Sequence, residues 1–284
     1  MRKEKAEHES KVCGFIASVI HKRRGEEIVL KSEPDKSDRV NKAVEFVWKS
    51  PSSDYVVEHT RIETYPKQIE DNHRFNQLMG PLESKFQGKL PSPGYYQLGI
   101  PIKASLTSMN IDAIRDKITV WVKNKASDLA LGKRIVEIPD GVPFQVSLSR
   151  QEAVVEAIKG RCLIHRYFTG DLQINRRERI QEALSKKCPK LHSAKLGIGK
   201  SRSVLVLESD DIALANHHDI ADVLIPELLN RKKDIPDEVY LAETELKEQP
   251  VIWVIKEGDA LFSKIKHPGP YYFDKLGNYI QNPN

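Results

Sequence analysis

Cysteine is scarce: Cys13, Cys162 and Cys188 are the only three in 284 residues, an odd number with no Cys-x-x-Cys spacing. That argues against a disulfide framework and against a cysteine zinc site, and three reduced thiols are expected. Long apolar runs are also missing. No stretch approaches the roughly 20 residues that a membrane helix needs. The charged start MRKEKAEHESK has no apolar signal core behind it, so a cytoplasmic address without a membrane is expected. Internal repeats are absent, and neither charge dominates: 45 Lys and Arg stand against 40 Asp and Glu, a net +5. Such a balance permits nucleic-acid binding without demanding it. What remains, 39% hydrophobic and 30% charged residues, is an ordinary globular chain able to bury one large core or two small ones.

The most informative stretch is Lys42 to Glu63, KAVEFVWKSPSSDYVVEHTRIE. Ala43 to Trp48 and Tyr55 to Ile62 are rich in β-branched and aromatic residues and are separated by Ser-Pro-Ser-Ser-Asp, which predicts a hairpin. A turn centred between Pro51 and Ser52 sets Trp48 against Tyr55, Phe46 against Val57 and Glu45 against Glu58. Side-chain alternation then puts Glu45, Val47, Val56, Glu58 and Thr60 on one face and Val44, Phe46, Trp48, Tyr55, Val57 and His59 on the other. Opposed like charges are destabilising unless a proton or a cation lies between them, and two oxygen ligands on adjacent strands suit magnesium. The plainer alternative is a register shifted by one residue, with one glutamate in solvent.

Ahead of the hairpin, Glu4 to Arg24 has the stripe Val12, Cys13, Ile16, Val19 and Ile20 of an amphipathic helix, stopped at Gly25. Glu9 falls on its inward side, although a solvated or capping acid would read the same. Glu27 to Lys31 reads as a short strand, and Pro34-Asp35 sits in a polar, turn-like run. Farther on, Asn175 to Lys195 predicts a basic helix with Ile180, Ala183, Leu184 and Leu191 on its apolar face. Lys187 lies on that face, where a lysine is costly unless it meets a negative group, and Pro189 should kink or break the helix. A carboxylate cluster would be such a group; a basic solvent-exposed turn is the alternative.

An acid on one strand followed by Glu-x-x on the next, behind an acid-bearing helix, resembles the PD-(D/E)xK nuclease superfamily, whose fold is that of restriction endonucleases. Glu45 stands at the first acidic position, without the usual Asp or a preceding Pro, and Glu58-His59-Thr60 at the second, with Thr60 where the superfamily usually has lysine. The resemblance implies an α/β fold, a restriction-endonuclease-like core with a central mixed sheet flanked by helices. It also implies a nuclease that hydrolyses phosphodiester bonds with Mg2+ or Mn2+, with DNA as the expected substrate by analogy. Glu45 and Glu58 would hold the metal and Glu9 would assist. Migration of the lysine to a helix is known in the superfamily, which nominates Lys187, or Lys190 close by, to orient or deprotonate water. A catalytically inactive nucleic-acid-binding or regulatory protein on the same fold is the alternative, because Thr60 carries no charge. A homodimer or a partner protein is compatible with either.

Residues 1–79 and 171–257 are expected to form the core, 80–170 an inserted α/β section and 258–284 a loosely packed or covering tail. Tyr65 to Met79 should be helical up to Gly80-Pro81. Gln68, Arg176 and Arg177 are candidate nucleic-acid contacts, with plain surface roles as the alternative. Ala194-Lys-Leu-Gly-Ile-Gly199-Lys200-Ser201 mimics a phosphate loop and Val204 to Glu208 a Walker B strand. The order helix, loop, strand is wrong for nucleotide binding, which needs strand, loop, helix. Asp210 and Asp211 should lead into a helix from Ala213 to Asn230. Pro236-Asp237 with Glu243-Thr-Glu245 is a weaker acidic echo read as structural, and a metal role for His217-His218 is not expected.

Overall fold

The structure is a computed structural model that describes residues 2–37, 43–86, 88–102, 104, 110–153, 155–168, 170–211, 216–245, 250–262, 270–274 and 278–280. It divides into two compact units, residues 1–66 with 172–284, and residues 67–171.

The first unit is α/β. Helix α1 (Arg2–Arg24) precedes β1 (Val29–Ser32), the short helix α2 (Pro34–Ser37), β2 (Phe46–Lys49) and β3 (Asp54–Arg61). Helix α5 (Leu172–Ile198), β8 (Ser201–Ser209), α6 (His217–Asn230), β9 (Glu238–Glu243), β10 (Val251–Glu257), β11 (Ala260–Leu261), β12 (Tyr271–Phe273) and β13 (Tyr279–Ile280) complete it. Among the described residues its sheet has nine strands, in the order β1-β2-β3-β8-β9-β10-β12-β13 with β11 on β10. The pairs β1–β2, β2–β3 and β9–β10 are antiparallel, whereas β3–β8 and β8–β9 are parallel.

The hairpin forms in the expected register, Phe46↔Val57, Val47↔Val56 and Trp48↔Tyr55. The serines set it. Ser50 N donates to Ser53 O at 3.0 Å, and Ser50 Oγ accepts from Ser53 N at 3.2 Å, so the turn closes on itself. One face, with Phe46, Trp48, Tyr55, Val57, Val204 and Val206, packs on Val12, Ile16, Val19 and Ile20 of α1. The other, with Val47, Val56, Leu205 and Leu207, packs on Ile180, Leu184, Cys188 and Leu191 of α5 and on α6. Each fully buried aliphatic side chain contributes roughly 1.5–3 kcal/mol.

Several sequence expectations give way. Helix α5 runs through Pro189, and α3 (Gln68–Phe86) runs through Pro81. In both, buried side chains on either side of the proline hold the helix together: Leu184, Cys188 and Leu191 in α5, and Leu78, Met79, Leu82 and Phe86 in α3. The residues four positions earlier, Ser185 and Gln77, are exposed, so their carbonyls, which lose a helical donor to proline, can turn to water. The polar run at Pro34-Asp35 is, by contrast, a turn as expected, a single helical one. The region after Gly258 is not loose where described: β11, β12 and β13 extend the sheet, and Phe273 is buried against Phe15 with ring centroids 4.9 Å apart. The expected helical start at Ala213 lies outside the described residues; α6 is seen from His217.

The second unit holds α3, β4 (Tyr95–Pro101), α4 (Ile111–Asp128), β5 (Arg134–Glu137), β6 (Val146–Gln151) and β7 (Cys162–Tyr167). Its sheet order is β5-β6-β4-β7, with β4–β7 parallel and the other pairs antiparallel. It begins at Lys67, not at residue 80, because Phe75, Leu78, Met79 and Leu82 of α3 belong to its core with Leu98, Ile118 and Leu148. Asn110 caps α4, its side chain accepting from Asp112 N and Ala113 N.

Candidate active site: a lysine between two glutamates

Glu58 lies in the middle of β3 on the α5 side and is fully buried. Glu45 sits just ahead of β2, and its Oε2 accepts a 2.6 Å hydrogen bond from His59 N, which fixes the carboxylate beside β3. Lys187, from α5, fills the space between them. Its Nζ is 2.9 Å from Glu45 Oε1 and 2.6 Å from Glu58 Oε2. One turn later, Lys190 Nζ is 2.6 Å from Glu58 Oε1. The apolar-face lysine of the sequence has thus met a carboxylate pair, and two positive charges balance two negative ones.

Burial pushes the Glu58 carboxyl up, and the neighbouring Glu45 adds to this; Lys187 opposes them, but the net shift is upward. Burial pushes the Lys187 ammonium down, but Glu45 and Glu58 outweigh it and hold its pKa above the ordinary lysine value. Lys187 therefore keeps its proton at neutral pH.

The donor chemistry is compatible with a divalent ion. Both acids offer hard oxygens, and magnesium commonly takes only one or two protein carboxylates, with water completing its shell. Glu58 Oε1 is buried, and Lys190 Nζ lies 2.6 Å from it. Among the described residues no three His, Cys, Asp or Glu side chains are grouped to hold an ion. An ion here would draw on Glu45 and Glu58 alone and compete with Lys187 for their oxygens.

Glu9 is half-buried on α1. Burial raises the Cys13 thiol pKa, and the charges of Glu45, Glu9, Glu208 and Glu58 raise it further. Thr60, two residues beyond Glu58, is half-buried and supplies no cation. Arg176, expected at a phosphate or on the surface, is instead 1% exposed, and its Nη2 lies 3.5 Å from Asp219. Arg177 does lie on the surface, 3.9 Å from Glu227. Gln68 is buried at the start of α3, in the second unit.

The Walker mimic is resolved as helix, a turn at Gly199 with φ +81°, then β8. Asp237 of the weaker acidic echo accepts from Ser203 N and pairs with Lys195, both at 2.8 Å. Glu243 accepts from His217 N at 2.8 Å, while the His217 ring stacks on Trp253 at 3.6 Å. Both acids tie strands and helices together.

A second buried cluster was not anticipated. Glu208, at the end of β8 on the α1 side, has Oε2 2.9 Å from His59 Nε2, and Oε1 2.6 Å from both His8 Nε2 and Thr244 Oγ1. Burial alone would raise its pKa, but the hydrogen bonds from His59, His8 and Thr244 and the charge of His59 hold it well below the usual carboxylate range. One signal was available: an acid directly after the apolar run Val204 to Leu207 of a buried strand must be paired. A groove of about 940 Å³ beside α5 is lined by Ser185, Lys186, Lys190 and Ser193 and, in equal number, by the apolar Ala43, Val44, Pro189 and Ala194. No family model, curated protein or solved structure matches this chain.

Proposed function

We propose that the first unit is a metal-dependent nuclease that hydrolyses phosphodiester bonds, with DNA as substrate and Glu45, Glu58 and Lys187 as its centre. The observation that carries this reading is Lys187 Nζ lying within 2.9 Å of both carboxylates, where the resemblance asks for a lysine that Thr60 does not provide. The mixed sheet, with α1 on one face and α5 and α6 on the other, also supports it, since the resemblance implies a central mixed sheet flanked by helices.

Glu45 and Glu58 would hold magnesium, which when bound supplies a Lewis acid for water and phosphate. Lys187, protonated, serves as a fixed cation that orients the attacking water and stabilises charge on the phosphate, rather than as a base. His59 N–H holds Glu45 in place. Lys190 offsets the charge of Glu58 and, with Lys186, lines a groove that suits a phosphate backbone.

The balance of two lysines against two glutamates favours a second reading, a nucleic-acid-binding or regulatory protein that needs no ion. Plasmid cleavage with magnesium separates the two. Nicking that disappears in Glu58→Ala and Lys187→Ala supports the nuclease. Cleavage that persists unchanged in Glu58→Ala removes the site assignment, and a wild type that neither cleaves nor binds magnesium favours the second reading.

A further inference from the structure

The second unit presents a sheet face whose chemistry the sequence hides. Tyr96, Leu98, Val146, Leu148 and Cys162 point into the core with α3 and α4. The alternate residues share the opposite face, and the register sets them in rows: Arg134, Ser149, Gln97 and Leu163 across the four strands, then Val136, Ser147, Gly99 and His165. Tyr95 pairs with Gln151 and Pro101 with Tyr167 at either end of these rows. Arg134, Val136, Leu163 and His165 are exposed, while Tyr95, Gln97 and Tyr167 are half-buried. None of these face residues is a carboxylate.

Gly99 flattens the middle. A Cβ there would meet Ser147 Oγ at 2.5 Å and His165 Nε2 at 2.7 Å, so its absence lets the imidazole settle onto the backbone. Burial and then the Arg134 charge lower the His165 pKa, which favours the neutral ring. Arg134 has no ion-pair partner among the described residues. With strands about 4.8 Å apart, the four-strand rows span about 14 Å. Two half-buried tyrosines, an exposed histidine, an exposed guanidinium and the half-buried amides of Gln97 and Gln151 thus share this face, while the hydroxyls of Ser147 and Ser149 are buried in it. Duplex DNA buries its base faces, and its major groove admits a helix or a two-stranded ribbon, narrower than this four-stranded face. Unstacked bases, in contrast, stack on Tyr, His and Arg planes and use amides and hydroxyls at their edges.

We infer that this face of the second unit binds a single-stranded segment of nucleic acid, with Tyr95, His165 and Tyr167 stacking on bases and Arg134 meeting the backbone. The inference stands apart from the reading of the first unit, since none of these residues belongs to the Glu45–Glu58–Lys187 cluster. Fluorescence anisotropy of the full chain with labelled oligothymidylate, in EDTA so that no cleavage contributes, tests it. Arg134 and His165 are exposed, so Arg134→Glu and His165→Ala should keep the fold, which circular-dichroism melting checks. The expected result is binding to the single strand in preference to a duplex of the same length. Each substitution should weaken it by about 10-fold, with Arg134→Glu lowering the salt slope by about 1. No binding, a preference for duplex, or affinities unchanged in both folded variants would overturn it.

Discussion

Among the carboxylates that the nine-stranded sheet buries, Glu58 faces α5 and Glu208 faces α1, and the two are held in opposite ways. Glu58, on the α5 side, touches two ammonium groups with a second carboxylate close by, and its pKa is pushed up. Glu208, on the α1 side, receives His59, His8 and Thr244, and its pKa is driven far down. Both side chains are at most 1% exposed, so depth does not separate them. Partners do. Three hydrogen-bond donors satisfy Glu208 and lock α1 and the strand end at Thr244 onto β8. Glu58 is held by two lysine ammonium groups, one of which it shares with Glu45. The first arrangement is a lock and the second is a set of groups open to exchange for an ion or a phosphate.

Removing the shared cation should break the comparison most strongly. Lys187→Ala leaves two facing carboxylates without their common partner, and breaking such a buried pair costs roughly 3–5 kcal/mol. Urea unfolding reads the loss, and cleavage should fall by about 100-fold or more where the fold persists. Restoring the cation from the strand sharpens the test: Thr60→Lys in the Lys187→Ala background should recover part of both stability and cleavage.

Glu208→Gln should cost roughly 2 kcal/mol, as expected for hydrogen bonds to a charged group. The pH dependence distinguishes the two acids by sign. The stability Glu208 supplies is fully present above the ordinary glutamate value of 4.5 and is lost as pH falls toward its depressed folded value. Glu58, with its pKa raised, supplies titration-linked stability that is present below 4.5 and lost as pH rises through its folded value. Melting-temperature differences between wild type and each glutamine variant should therefore grow with rising pH for Glu208→Gln and shrink for Glu58→Gln. At the small end, Arg177→Ala, on the exposed surface of α5, should change stability by no more than about 0.5 kcal/mol.

The hairpin was legible because its information is local: Ser50, Pro51, Ser52 and Ser53 set the turn, and alternation decides the faces from Phe46 onward, whereas Val44, ahead of β2, packs with Val47 and Val56 and not with Phe46. Lys187 was legible as a charge on an apolar stripe, and the structure gives it the carboxylate partners that stripe required. Helices crossing Pro81 and Pro189 were not, because packing on both sides outweighs the local cost of proline. The Glu208 cluster escaped because its parts are far apart in sequence, with His8 200 residues from Glu208, and no spacing rule joins them. The strands after Gly258 escaped for a related reason. Such short segments carry no periodicity, and they become strands only by pairing, β11 and β12 with β10 and β13 with β12.

Manganese binding followed by electron paramagnetic resonance tests the central proposal most directly. One bound Mn2+ in the wild type, lost in both Glu45→Gln and Glu58→Gln while Glu208→Gln retains it, is the predicted result. A wild type that takes up no manganese, or glutamine variants that bind it as the wild type does, would contradict a metal held between β2 and β3.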